Sequence, residues 1–296
     1  MFTPITSPYL VPFEQEHIPP TFDPRPPEDA PGKKACKAAL TKETELLDEL
    51  QHRLYAEDRR SLLLLFQAMD AAGKDSTIRA VMSGVDPSGC QVFNFKQPSR
   101  EELDHDFLWR SSRCLPERGR IGIFNRSYYE ETLVVRVHPE YLQPQRIEIP
   151  EPLEGLWQQR FEAIRNYEKH LAESGTVIVK FWLNVSREEQ RQRFLSRLDE
   201  AQKHWKFSVG DVRERQHWDA YMHAYREALT ATSRPWAPWY AIPADDKHFM
   251  RWQVARLVRK TLERMDPLYP EVDEEAATRF AEMRRHLKRE ASGETG

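Results

Sequence analysis

Residues 61–77 read SLLLLFQAMDAAGKDST. The leading SLLLLFQ is a short apolar run, the pattern of a strand buried on both faces of a parallel sheet. The chain then turns through small residues and can enter a helix from about Lys74. Strand, small-residue turn, Gly-Lys and helix describe a phosphate-cradling loop, here Ala71, Ala72, Gly73, Lys74, Asp75, Ser76 and Thr77. Its backbone N–H groups and the start of the helix point at an anion, and the lysine adds a point charge.

Ala68 stands where the common pattern has glycine, and Asp75 stands where a hydroxyl residue usually follows the lysine. Asp70 puts a carboxylate inside a loop built for anions. Acids beside bound phosphate repel it unless a divalent cation lies between them, so Asp70, with Asp75 as a second candidate, is expected to face a metal. A strand-turn-helix corner with solvated acids is the plain alternative, and the preceding apolar strand weighs against it.

Working outward, further strands are expected at about 91–95, 119–124, 177–185 and 239–242. A leucine stripe (Leu40, Leu47, Leu50, Leu54) marks a core-packing helix over 34–56, and other helices are expected at 156–173 and from Asp246 to about 265. Ser99-Arg-Glu-Glu102 and Ser186-Arg-Glu-Glu189 read as capping boxes, the first opening one helix that runs through Phe107, Leu108 and Trp109. Strands alternating with helices predict an α/β fold, a parallel five-stranded sheet with helices on both faces. Ligands of such sheets gather beyond the carboxyl ends of the strands. That rule brings the loop, Lys96, Asn125, Arg126 and the residues after Val185 to one place. Residues 1–33 hold nine of the 21 prolines and read as an extended arm, lying on the body or on a neighbouring subunit. Residues 34–266 form the body, and 267–296 read as an acidic helical tail.

A length of 296 residues is enough to bury a full core. A net charge of −3 argues against a generic nucleic-acid binder. No apolar stretch reaches membrane-spanning length, and the N-terminus lacks a secretory pattern. Three widely spaced cysteines form neither a disulfide framework nor a zinc pattern, so a cytoplasmic location is expected.

Asn125 and Arg126 close an apolar strand; asparagine can offer a carbonyl to a cation, and arginine a fork to a phosphate. From Arg191 to Lys206 five bases face two acids. A solvated charged face is the ordinary reading of such a run. Its place after a strand end instead suggests a basic lid closing over phosphates, with Arg193, Arg197, Lys203 and Lys206 on it. The ten histidines show no ligand spacing, and His138, His217 and His223 read as structural or surface residues. No Ser-His-Asp or paired Cys-His arrangement can be argued.

AMDAAGKD at 68–75, FNRSYYEE at 124–131, LVVRVHPE at 133–140, KHWKFS at 203–208 and PWYAIPADDK at 238–247 together resemble polyphosphate kinase family 2, across about 34–266. The resemblance implies a P-loop kinase-like three-layer fold with a helical lid at about 193–215. It implies magnesium-dependent phosphoryl transfer between inorganic polyphosphate and nucleotides. Asp70, Lys74, Asn125 and Arg126 then fall at active-site positions, with Asp70 on the metal. Lys96, Arg126 and Arg136 are assigned to the nucleotide, and Arg193, Arg197, Lys203 and Lys206 to the polyphosphate and the lid. Asn125 and Asp75 are most similar to the subgroup that accepts both nucleoside mono- and diphosphates. The expected substrates are polyphosphate with AMP, ADP and ATP, guanine nucleotides being a further option. The expected assembly is a homodimer or homotetramer, with no nucleic-acid or membrane partner. The rivals are an NTP-dependent nucleoside monophosphate kinase on the same fold and a non-catalytic nucleotide or polyphosphate sensor.

Overall fold

Each apolar run becomes a strand of one sheet in the computed structural model, which describes residues 2–13 and 22–291, the side chains of Lys206 and Ala291 excepted. The strands are β1 (Ser61–Gln67), β2 (Cys90–Asn94), β3 (Ile121–Asn125), β4 (Thr176–Asn184) and β5 (Trp239–Pro243). They lie in the order β2-β3-β1-β4-β5 and every pairing between them is parallel. All residues of β1, β3, β4 and β5 are buried, which is why these segments read as unbroken apolar runs rather than as alternation. At the edge, β2 is half exposed and does alternate.

The helices, in chain order, are α1 (Lys33–Glu57), α2 (Lys74–Val81), α3 (Arg100–Leu103), α4 (Trp109–Ser112), α5 (Val134–Val137), α6 (Glu154–Glu173), α7 (Arg187–Asp199), α8 (Val209–Glu214), α9 (Trp218–Thr232), α10 (Lys247–Met265) and α11 (Glu274–Ala291). α1 and α2 pack on α10, while α6 packs on β4 and α9. Chain order reverses at β1, which leaves for the edge strand β2 and is flanked by β3 and β4. The crevice beyond the carboxyl end of β1 is therefore the ligand position for this topology.

The capping box at Ser99 forms in full, yet the single helix expected there does not. α3 ends at Leu103, and Asp106 accepts the Leu108 N–H at 2.6 Å to turn the chain before α4. A local side-chain acceptor thus outcompetes the helix. At Ser186 only half a box forms: the hydroxyl accepts from the Glu189 N–H, while the Ser186 N–H goes to Asp245 Oδ1 at 2.8 Å. That exchange ties the start of α7 to the end of β5.

The proline-rich arm lies on its own body. Val11 N–H donates to the Trp239 carbonyl and Ala241 N–H to the Tyr9 carbonyl, a short antiparallel addition to β5. The tail contains α11, with Glu274 and Glu275 in its first turn and Lys288 and Arg289 in its last.

Candidate active site

The loop after β1 is shaped by two residues in left-handed backbone conformations. Gly73 has φ of 103°, suited to a residue without Cβ, and Ala71 reaches 61° despite having one. Gly73 is the N-cap of α2, so the amides of the first helical turn open towards the crevice. The half-buried Lys74 folds back, its Nζ donating to the Ala68 carbonyl at 2.7 Å. Burial lowers its pKa and Arg126 lowers it further, against the opposing pull of Asp70, Glu130 and Asp75.

Arg126 also has positive φ, 62°, one step past β3, while its N–H still donates to the Phe66 carbonyl. Its guanidinium lies 2.8 Å from Asp70 Oδ1 and 3.4 Å from Glu130 Oε2. Glu130 and then Asp70 hold Arg126 protonated against its burial. Burial raises the Glu130 pKa, and Arg126 and Lys74 oppose the rise. Asp70 is therefore a paired carboxylate rather than a bare one. Asp75 is engaged too: its Oδ1 accepts from Asn125 Nδ2, joining the loop to the end of β3.

Asp70, Lys74, Asp75, Asn125 and Arg126 line a cavity of about 650 Å³. Eight bases line it against two acids, Asp70 and Asp75. Lys74, Lys96, Arg126, Arg193, Arg197 and Lys203 come together there as the sequence predicts. Lys247 and Arg251, one turn apart on α10, complete the set and are not anticipated from sequence. Burial, and next Arg193, lowers the Lys247 pKa, so packed bases there already strain against one another. The Lys247 signal was present, since PWYAIPADDK ends on it just past a strand end.

Two expected residues, Arg193 and Arg136, have partners that the sequence does not reveal. Arg193 is buried and faces inward, its Nη1 donating to the Ala72 carbonyl and its Nη2 to the Ala244 carbonyl, each at 2.6 Å, with Nε on Glu189. It braces the loop against the end of β5 while lining the cavity. Arg136 is not brought to the cavity; it pairs with Glu154 and Glu227 and lies over the Trp157 ring. The Lys206 side chain lies outside the described residues. Elsewhere in the segment expected to form a lid, Arg197 meets Asp211 at 3.5 Å, and Lys203 contacts Glu200 and Ser196.

Two contacts could not be read from sequence because their partners are far apart in the chain. Gln190 Nε2 donates to the Asp70 carbonyl at 2.9 Å, and Arg215 Nη1 donates to Gln190 Oε1 at 2.6 Å. A smaller cavity of about 230 Å³ adjoins the first, sharing Lys96, Gln97 and Arg126 and otherwise walled by such residues as Pro98, Leu103, Val134, Tyr141 and Pro144. A basic trough thus opens beside a partly apolar pocket, with Arg126 at the junction.

The profile of the family described as Polyphosphate kinase 2 matches residues 31–269. An ADP-polyphosphate phosphotransferase of Rhodopseudomonas palustris is 53% identical over 249 residues, covering 84% of this chain and 86% of that protein. An AMP/ADP-polyphosphate phosphotransferase of Meiothermus ruber is 45% identical over 240 residues, covering 81% and 86%. The crystal structure of Polyphosphate Kinase 2 from Arthrobacter aurescens TC1 superposes with a TM-score of 0.82 at 39% identity, covering 89% of this chain and 91% of that one.

Proposed function

The chain belongs to the Polyphosphate kinase 2 family and is a polyphosphate:nucleotide phosphotransferase, and we propose that it carries AMP to ADP and ADP to ATP. The observation that carries this reading is the basic trough at the phosphate loop. Inorganic polyphosphate has no base or sugar to recognise, so a run of cations is what binding it requires. Eight bases around a cavity at the topological switch point supply that run.

The acceptor is a nucleotide phosphate, already anionic at neutral pH, so the site needs positioning and charge neutralisation more than a general base. Lys74 and the loop amides hold the phosphate being transferred. Arg126, at the junction of trough and pocket, aligns the acceptor phosphate, and Lys96 flanks it. The adjoining pocket takes the nucleoside. Before substrate binds, Asp70 and Glu130 neutralise Arg126; phosphate oxygens then take over that role.

Among the described residues no group of three or more His, Cys, Asp or Glu forms a ready-made metal cage. Magnesium does not need one, since it keeps several waters and binds through one or two carboxylates with substrate phosphates. The Asp70 carboxylate, on the cavity wall, fits that pattern. The ion would supply neutralisation of phosphate charge beside Asp70. No helix among the described residues is long and apolar enough to cross a membrane. A homodimer or homotetramer remains the expected assembly, supported by the exposed apolar residues Phe280, Met283 and Leu287 on α11; light scattering tests it.

Purified protein given polyphosphate, AMP and magnesium should yield ADP and then ATP, followed by chromatography. No turnover with AMP or ADP ends the reading, and turnover with ATP but not polyphosphate as donor returns the monophosphate-kinase alternative. Lys74→Ala should lower kcat by at least about 100-fold without changing the melting temperature. Retained activity removes the loop from the mechanism.

A further inference from the structure

The lid segment is tied to the body at a point away from the phosphates. α8 ends at Glu214, whose Oε2 lies 2.8 Å from His138 Nε2 and accepts the Tyr221 hydroxyl at 2.8 Å. His138 follows α5 within the LVVRVHPE stretch, and its side chain is only 13% exposed. Its second nitrogen, Nδ1, lies 3.1 Å from Glu140 Oε1. A neutral imidazole has one N–H and one lone pair, so it can donate to only one carboxylate and must turn a lone pair on the other. The imidazolium satisfies both.

We propose that His138 is a positioning residue for the lid: as imidazolium it bridges Glu140 on the body to Glu214 on the lid and so holds the basic segment over the trough. The proposal rests on the reading of that trough as the polyphosphate site. Its mechanical route is short. Glu214 is followed by Arg215, which donates to Gln190 Oε1, and Gln190 donates to the Asp70 carbonyl. One side of this segment therefore grips the phosphate loop while the other is held by His138.

The groups facing His138 come from three places. Glu140 and Tyr141 follow it in the chain, the Tyr141 ring lying 5.5 Å away. Glu214 and His217 come from the lid side, the His217 ring at 4.9 Å, and Tyr221 comes from α9 at 6.4 Å. Burial works against a charged ring, but the hydrogen bond and charge of Glu214, and then those of Glu140, outweigh it and raise the His138 pKa above its ordinary value. A raised pKa means the bridge is complete below the ordinary histidine range and is lost as pH rises through the raised value.

The test is the KM for polyphosphate between about pH 6 and pH 9 in the wild type, His138→Gln, His138→Ala and Glu140→Gln. Ionisation of the substrates is common to all four proteins and cancels in the ratio to His138→Gln, which cannot titrate at this position. In the wild type that KM should rise about fivefold across the range, the loss of one charge-assisted contact. His138→Gln keeps one donor but cannot titrate, so its rise should disappear. His138→Ala should have the high KM throughout, with the nucleotide KM little changed. Glu140→Gln should move the rise to lower pH and leave the acid plateau in place. Parallel pH profiles for wild type and His138→Gln overturn the proposal, as does an equal rise in both KM values for His138→Ala. Should the alanine variant fail to fold, the Glu140→Gln shift decides alone, and an unmoved profile overturns it. Absence of polyphosphate turnover in the wild type at every pH would instead remove the function on which the bridge depends.

Discussion

Lys180 sits in the middle of β4 with no exposure at all, inside the run TVIVKFWLN. All three of its N–H donors are used, on Glu168 Oε2 at 2.6 Å, the Tyr129 hydroxyl at 2.8 Å and the Thr232 carbonyl at 2.9 Å. Glu168 Oε1 in turn accepts from the Tyr128 and Tyr129 hydroxyls, each at 2.9 Å. Burial pulls the lysine pKa down to about 8 and pushes that of Glu168 up, and each partner resists the other's loss of charge. A desolvated pair of this kind contributes little net stability, but breaking it leaves one charge stranded. Lys180→Met should therefore cost roughly 3–5 kcal/mol, and Lys180→Met with Glu168→Leu markedly less. Denaturant unfolding of both variants checks this, and equal losses would show that the two side chains do not act as a pair. A lone lysine in an apolar strand is visible in the sequence, yet its partner is not, since Glu168 belongs to a different element. Arg193 carries the same lesson. The sequence shows an arginine near a phosphate site, but which way its fork points depends on carbonyls at Ala72 and Ala244, which only the folded chain brings together.

At the scale of elements, the strands and the phosphate loop were legible because their signals are local: continuous apolar runs, small residues and a Gly-Lys pair. Backbone strain inside the loop was not. Ala71 at φ 61° pays about 1–2 kcal/mol for a left-handed conformation that glycine adopts freely. Glycine loses roughly 0.5–1 kcal/mol more than alanine in chain entropy on folding. The first effect is the larger, so Ala71→Gly should be neutral or stabilise by up to about 1 kcal/mol. Gly73→Ala runs the other way. At φ 103° its new Cβ would also meet Met250 Cε and Ser76 Oγ at 3.4 Å, so strain rather than space decides. A loss of about 1–2 kcal/mol and a fall in transfer activity are expected. Thermal melting and initial rates separate the two substitutions, and a stabilising Gly73→Ala would contradict this account of the loop. The region from 99 to 112 was misread for a related reason. Its capping box is a true helix start, but nothing in that signal says how soon Asp106 ends the pattern.

For the whole molecule, the two ends of the chain look alike in sequence, each poorly patterned and charged or proline-rich, but they differ in what they bury. The arm places Ile5 and Val11 in the core at 4% and 0% exposure. It also covers the outer edge of β5 with backbone hydrogen bonds, and the Ile5 carbonyl accepts the Tyr240 hydroxyl at 2.8 Å. Burying two branched aliphatic side chains contributes about 1.5–3 kcal/mol each, offset in part by the entropy of ordering a terminal segment. α11 buries nothing comparable: Phe280, Met283 and Leu287 are each more than half exposed. Deleting residues 1–13 should therefore cost roughly 2–4 kcal/mol in urea unfolding and leave β5 as a bare edge, with aggregation following from unpaired strand groups. Deleting residues 274–296 should cost less than about 0.5 kcal/mol, with the denaturant slope unchanged because little surface is newly exposed. If the tail deletion proved the costlier of the two in dilute protein, α11 would have to be packed against the body in solution, and the arm would not be the terminus that completes the sheet.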